Sequence, residues 1–460
     1  MLVLRTEATR AEEFLLVALL IFVPVSLAGA LGCAGSREAS AAPLARDARR
    51  GGPAPSARAP IPAAIPASGG EPPALEAPPT EPAAPLAPAP PVQLADTPLW
   101  GASRLEGFLA ALRRIESEGG LARVTHFGDS SIGLDQLSGM IRQLMQRRFG
   151  DGGAGFVFPD RHTGNYRNQR ASPRVLSAWD HCFIVRGCQR DGRYGLGGVV
   201  FRNRTRSETA YRTRPMHHLE LWYAQAPGAG SLLMRFGGRP PISVDTRGPR
   251  GTDGFLELPL EGETRFRLVS GQRTVRVYGL VLETEGPGLV WDTLSMTGAY
   301  TNRLLRFDAA QIAAHVARRD PDLLVFNYGG NDLRRLADGR VSLQGLETET
   351  REAIRLIRSG KPEASCLWMG VSDHRQSGIS RIGHREVEPL VQMQKRVALS
   401  EGCAYYDTYG AMGGRGAFDR WLAQRLASTD LKHLTGAGRR VIARSLVEAI
   451  LLAYEDQGEP

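Results

Sequence analysis

The chain predicts an α/β fold: a parallel sheet covered by helices on both faces, with an antiparallel β-sandwich lobe inserted into it. Short apolar runs alternate with amphipathic helical patterns from Ala122 to Tyr454. Between residues 165 and 285 this rhythm gives way to short alternating segments parted by Gly and Pro. A proline-rich stretch upstream marks where the folded part begins.

In order, residues 1–33 are expected to be a signal peptide or membrane anchor and 34–98 a disordered linker. The core follows in two parts, 99–160 and 289–456, flanking the lobe at 161–288. Phe14 to Leu31 is an apolar stretch of 18 residues interrupted by Pro24, which reads as an export signal. Glu7, Glu12 and Glu13 outnumber Arg5 and Arg10 before it, so an uncleaved anchor stays open. Ala30-Leu31-Gly32-Cys33 resembles a bacterial lipobox, making Cys33 the lipidation candidate; the alternative is ordinary cleavage near Ala30. Residues 41–98 hold 16 of the 30 prolines and almost no large apolar side chains, so they cannot bury a core.

Within the core, Leu105, Phe108, Leu109 and Leu112 follow helical spacing, and Ala122 to Phe127 is a buried strand. A helix from Gly133 to Arg148 ends at the glycine run 150–155, which lacks the Lys-Ser/Thr pair of a phosphate loop and is expected to be a turn. Lobe strands are expected at Leu219 to Tyr223, Ser231 to Phe236, Thr264 to Val269 and Thr274 to Leu282. Core alternation resumes with strand Val290 to Leu294, helix Arg303 to Arg318, strand Leu323 to Asn327, helix Glu347 to Arg358 and strand Ser365 to Gly370. Helix Glu386 to Ser400, strand Ala404 to Tyr406 and helix Gly436 to Tyr454 complete it.

Residues 161–290 hold 20 Arg, no Lys and 11 acidic residues, so the lobe region alone accounts for the net charge of +9. With an export signal and no nucleic-acid motif, that charge points away from nucleic acid and towards an anionic envelope polymer, against plain solvation of a loop-rich surface. Leaving Cys33 aside, Cys182 and Cys188 are close enough to pair, while Cys366 and Cys403 either pair or stay buried thiols.

Ligands of such sheets gather beyond the carboxyl ends of the strands, where two segments carry chemistry. His126-Phe127-Gly128-Asp129-Ser130-Ser131 presents Ser130 as a nucleophile at a helix start, and Gly329-Gly330-Asn331-Asp332 follows the strand ending at Asn327. A serine needs a base and an orienting carboxylate, and Asp430-Leu431-Lys432-His433 supplies both, with His433 as base and Asp430 behind it. The oxyanion of a tetrahedral intermediate needs fixed donors: the backbone of Ser130, the backbone of Gly298 and the side chain of Asn331 are the candidates. His126 is read as core, and His217-His218 has no metal-like partners.

These four blocks, in this order, resemble the SGNH (GDSL-type) hydrolases. The resemblance implies a flavodoxin-like three-layer α/β/α core, a Ser130–His433–Asp430 triad, an oxyanion hole from Ser130, Gly298 and Asn331, and no metal or cofactor. Arg147-Arg148-Phe149-Gly150-Asp151-Gly152-Gly153, the β-rich insert, and Ala411-Met412-Gly413-Gly414 followed by Trp421 more loosely resemble bacterial peptidoglycan O-acetylesterases and O-acetyltransferases. Trp421, Trp291, Trp222 and Tyr223 are either stacking surfaces for glycan rings or buried aromatics.

The expected function is therefore an exported serine esterase, periplasmic or in the cell envelope, that removes O-acetyl groups from an acetylated envelope glycan such as peptidoglycan. It would be held at the membrane through Cys33 or the N-terminal apolar segment. The alternatives are an O-acetyltransferase, a lipase or thioesterase of the same family, or a non-catalytic glycan-binding protein.

Overall fold

The computed structural model describes residues 98–375 and 382–456. The signal or anchor segment, Cys33 and the proline-rich stretch up to residue 97 lie outside the described residues.

Among the described residues thirteen strands are formed: β1 Leu99–Trp100, β2 Leu121–Gly128, β3 Gly153–Val157, β4 Ala171–Phe183, β5 Val199–Ala224, β6 Ser231–Phe236, β7 Ile242–Asp245, β8 Asp253–Ser270, β9 Arg276–Glu283, β10 Gly288–Ser295, β11 Leu323–Asn327, β12 Ser365–Met369 and β13 Ala404–Tyr406. Six of them make the core sheet, in the order β1-β13-β12-β11-β2-β10. All neighbours in it are parallel except β1, which runs against β13.

Alternation along the parallel strands separates two apolar layers. Leu323 and Val325 face one way with Val124, Trp291 and Leu367, packing on the helices Glu106–Glu118, Leu137–Phe149 and Gly436–Asp456. Leu324 and Phe326 face the other way with Phe127, Leu294 and Trp368, against Ala309–Arg319, Leu343–Arg358 and His384–Ser400. Strands buried on both faces are mostly apolar, which is why β11 and β12 read as nearly unbroken runs. The cysteine pairs Cys182–Cys188 and Cys366–Cys403 are both disulfide-bonded, the second joining the ends of β12 and β13.

The lobe is one seven-stranded antiparallel sheet, β3-β9-β5-β8-β6-β7 with β4 beside β5. Its centre is β5, 26 residues long, which pairs along different stretches with β4, β8 and β9, with register shifts within those pairings. The lobe sheet starts at Gly153, because β3 pairs with β9, where the sequence pattern places the lobe boundary at 161. The glycine run before it is a close backbone approach with no phosphate loop: a Cβ at Gly150 would sit 2.3 Å from the carbonyl oxygen of Pro287.

One expected helix divides. Arg303 to Arg318 becomes a 3-10 turn, Thr301–Arg306, and a separate helix starting at Ala309. Asp308 causes the restart by accepting the N–H of Gln311 as an N-cap. The helix expected from Gly133 starts at Leu137, since Leu134 and Asp135 are left-handed at φ 61° and 54°.

Candidate active site

Ser130 follows β2, the second strand from one edge, and opens a 3-10 turn, Ser130–Asp135. The turn starts there because Asp129 caps it, its Oδ1 accepting the Ser131 N–H at 2.8 Å. As the first residue of the turn, Ser130 has an N–H with no intrahelical acceptor. The left-handed residues that end the turn are held by a buried hub. The Asp135 carboxylate receives Ser138 Oγ at 3.1 Å, Thr293 Oγ1 at 3.0 Å and the Gln169 N–H at 2.9 Å, and pairs with Arg142. Asn165 also accepts the Leu134 N–H at 2.6 Å, so lobe backbone grips the nucleophile loop at two points.

His433 comes from the turn before the last helix, 303 residues away in sequence, and its Nε2 lies 2.8 Å from Ser130 Oγ. Its Nδ1 lies 2.6 Å from Asp430 Oδ2. Asp430 Oδ1 accepts the N–H groups of Lys432 and His433, both at 2.9 Å, which closes the turn with Leu431 left-handed at φ 59°. Burial opposes ionisation of Asp430, but the backbone and imidazole of His433 outweigh it and hold the carboxyl below its ordinary value. Serine, imidazole and carboxylate thus form the chain that activates a hydroxyl as nucleophile.

Asn331 comes from the loop after β11. A Cβ at Gly329, φ 126°, would lie 2.4 Å from Gln394 Nε2, so this loop needs glycine where it packs on the helix behind it. Asn331 Nδ2 donates to Asp129 Oδ2 at 3.1 Å and to Ala299 O at 2.9 Å, which takes both its amide hydrogens. Its Oδ1 accepts from Lys432 Nζ at 2.7 Å. Gly298 is exposed in the turn after β10, left-handed at φ 81°; that turn is tied to the nucleophile strand by the Met296 N–H donating to Gly128 O at 2.7 Å. Asp332 anchors the neighbouring loop by accepting Thr301 N–H and Oγ1 at 2.9 and 2.7 Å.

Three residues that the motif reading leaves without a role surround the triad. Asp129 is fully buried, and burial pushes its carboxyl up against the opposing pull of Ser131, Lys432 and His433. Lys432 donates to Asn331 Oδ1, and its charge favours the ionised form of the Asp129 carboxyl. His374, beyond the carboxyl end of β12, lines the same solvent-open pocket as Ser130 and His433. The signal for His374 was its place after a strand end, and for Lys432 its neighbour in the Asp-x-x-His block.

Trp222, Trp291 and Trp421 are buried in the core, and Tyr223 is 7% exposed, so none of them offers a glycan a stacking face. His126 is buried beside Trp291, whose Nε1 donates to its Nδ1 at 3.3 Å. His218 lies 3.3 Å from Glu220, and no cluster of metal-binding side chains occurs among the described residues.

Residues 259–441 match the family described as GDSL-like lipase/acylhydrolase. That span holds Gly298, the Gly329–Asp332 loop and the Asp430–His433 turn, together with the last strands of the lobe; Ser130 lies before it. No curated protein matches the chain. Among solved structures the chain is similar to "Peptidoglycan O-acetylesterase in action, 5 min", with a TM-score of 0.65 and 20% identity over 78% of this chain and 98% of that one. A lipase/acylhydrolase from Enterococcus faecalis gives a TM-score of 0.29 at 17% identity over 35% of this chain and 75% of its own. A family two carbohydrate esterase from Cellvibrio japonicus gives 0.25 at 10% identity over 62% and 99%.

Proposed function

We propose that the chain, which matches the GDSL-like lipase/acylhydrolase family at residues 259–441 and shares its fold with a peptidoglycan O-acetylesterase, is a hydrolase of that family that removes O-acetyl groups from envelope peptidoglycan through an acetyl-Ser130 intermediate. The observation that carries this reading is the unbroken Ser130–His433–Asp430 chain at 2.8 and 2.6 Å in a pocket open to solvent.

His433 Nε2 takes the Ser130 proton as Oγ attacks the acetyl carbonyl carbon. The oxyanion is met by the Ser130 N–H and by Gly298. Asn331 joins them only by releasing one of its resting bonds, the longer being to Asp129. Collapse expels the sugar oxygen, which leaves with the proton from His433. Water attacks the acetyl-serine by the same route reversed, giving acetate and free Ser130. We place the enzyme in the envelope, tethered by the segment before residue 98 through Cys33 or the apolar stretch.

The lobe supports a polyanionic substrate. On its outward face Arg174 stands across from Ala210, Ala210 from Arg267, and Arg267 from Arg235; one rung along, Arg212 stands across from Arg265. All five arginines are exposed, and among the described residues only Arg267 has a carboxylate partner, Glu208 at 3.1 Å. Strands lie about 4.8 Å apart, so like charges stand close and repel. A chain bearing carboxylates, such as peptidoglycan with its stem peptides, relieves that repulsion.

The test is acetate released from O-acetylated peptidoglycan by the wild-type chain and by Ser130→Ala. The variant is expected to lose release and fluorophosphonate labelling together; equal release by both proteins defeats the mechanism.

A further inference from the structure

The imidazole of His374 is the most anomalous polar group near the site. It is 4% exposed, and neither Nδ1 nor Nε2 has a hydrogen-bond partner among the described residues. Buried polar groups are nearly always satisfied, and an open one at a functional cavity points to a partner that arrives with the ligand. The ring lines the pocket that Ser130 and His433 also line. It lies against the backbone of the Asn331 loop: a Cβ at Gly330 would be 3.4 Å from His374 Cε1 and 3.7 Å from Asp129 Oδ2. The segment is fixed to the triad turn, since the Arg375 N–H donates to Leu431 O at 3.2 Å, and Asp373 secures it from behind by accepting the Phe418 N–H at 2.9 Å.

The charge state follows from these surroundings. Burial first, and then the charges of Lys432 and His433, push the imidazole down to about 3, against a small opposing pull from Asp430. At neutral pH the ring is therefore uncharged, with one N–H donor and one bare nitrogen acceptor. A carboxylate or phosphate could use only the ring's single donor and would leave its bare nitrogen unpaired, and an ammonium group would be repelled by Lys432. The matching ligand group is neutral and carries a donor and an acceptor together, as a hydroxyl or a secondary carboxamide does.

We propose that His374 is a substrate-binding residue that takes a hydroxyl or acetamido group of the sugar bearing the ester, so that the enzyme selects sugar acetates over simple acetyl esters. This rests on the O-acetylesterase reading and adds to it the recognition of the alcohol half. His374 does not enter the proton transfers; it positions the ester over Ser130.

The test compares wild type, His374→Ala and His374→Gln on 6-O-acetyl-N-acetylglucosamine and on p-nitrophenyl acetate, whose leaving group has neither feature. In His374→Ala the ratio of kcat/KM for the sugar ester to that for p-nitrophenyl acetate is expected to fall at least about tenfold, because a site built to hydrogen-bond a substrate group loses discrimination when one partner is removed. The fall should lie chiefly in KM. The His374→Gln amide, with its own donor and acceptor, should restore part of the ratio. A ratio that stays within twofold of wild type in His374→Ala, or an equal loss on both esters, overturns the assignment while leaving the esterase reading intact. Wild type that cleaves p-nitrophenyl acetate but neither the sugar ester nor O-acetylated peptidoglycan overturns both. Thermal melting and fluorophosphonate labelling of Ser130 identify a variant that has lost its fold, in which case His374→Gln alone decides by the same ratio.

Discussion

Replacing Asp430 by Asn tests the triad at its least protected member. The carboxylate does two things for His433. Its Oδ2 accepts the Nδ1–H at 2.6 Å, leaving Nε2 bare to take the Ser130 proton, and its charge stabilises the imidazolium that follows. An asparagine that keeps its oxygen on the two turn N–H groups presents an NH2 to Nδ1, which drives the proton to Nε2 and removes the base. The charge contribution is limited by exposure, because the Asp430 side chain is 49% exposed. Opposite charges about 4 Å apart are worth about 1 kcal/mol in water and about 4 kcal/mol near a protein surface. A half-exposed carboxylate falls between, at about 2 kcal/mol, and the tautomer change adds a similar amount. Together, about 4 kcal/mol corresponds to roughly a 10³-fold fall in kcat. That is smaller than the roughly 10⁴ seen for a fully buried orienting aspartate. Burst kinetics with p-nitrophenyl acetate at pH 8 would measure it, with fluorophosphonate labelling slowed in parallel. Activity within tenfold of wild type would refute the assignment of Asp430 as the orienting group.

Three further outcomes follow from the same geometry. Lys432→Met removes the donor to Asn331 Oδ1 and the cation that opposes the upward push on Asp129; kcat is expected to fall about tenfold, and the acid limb of the kcat/KM profile to move to higher pH, and an unmoved limb would separate Asp129 from catalysis. Arg265→Glu turns the Arg212–Arg265 rung into an opposite-charge pair, so melting temperature should rise by the equivalent of about 0.5 kcal/mol while sedimentation with sacculi at low salt weakens; tighter sedimentation would remove the polyanion reading. Burial alone pushes His126 down to about 3 from 6.5, a depressed value that favours folding above pH 6.5 and loses that contribution as pH falls. Between pH 7 and 5 the loss is about 2 kcal/mol, so His126→Gln should be less acid-sensitive than wild type by that amount in urea titrations, and equal sensitivity would contradict it.

The parallel core was legible because both of its faces are covered: Leu323 to Asn327 and Ala404 to Tyr406 read as apolar runs and form as β11 and β13. Boundaries shifted where a local capping or left-handed residue intervened, as at Asp308 and Leu134, since periodicity averages over several residues and such devices act through one. The lobe was legible as β-rich, but its strand order depends on which stretch of β5 meets β4, β8 or β9, a long-range choice that alternation does not encode. The tryptophans could not be assigned from composition because burial of an aromatic is decided by tertiary packing. At the site, residue types and spacing were enough to gather Ser130, Asp430 and His433. The bonds that occupy Asn331 were not visible, because each of its partners comes from a different loop.

The inserted lobe has a structural duty that its β-rich pattern hides. Leu134 and Asp135 hold left-handed backbone that costs a non-glycine residue on the order of 1 kcal/mol each, so something outside the loop must keep them there. The holding bonds reach the lobe backbone: Asn165 accepts from Leu134, and the Gln169 N–H and Nε2 reach Asp135 at 2.9 and 2.6 Å. The core contributes Thr293 and Arg142 to the same carboxylate. The turn that aims Ser130 is thus clamped between the two parts of the chain, and a lobe that gripped only substrate would not need those contacts. Deleting the lobe should therefore loosen the nucleophile itself, lowering turnover of small acetyl esters that never touch the arginine face.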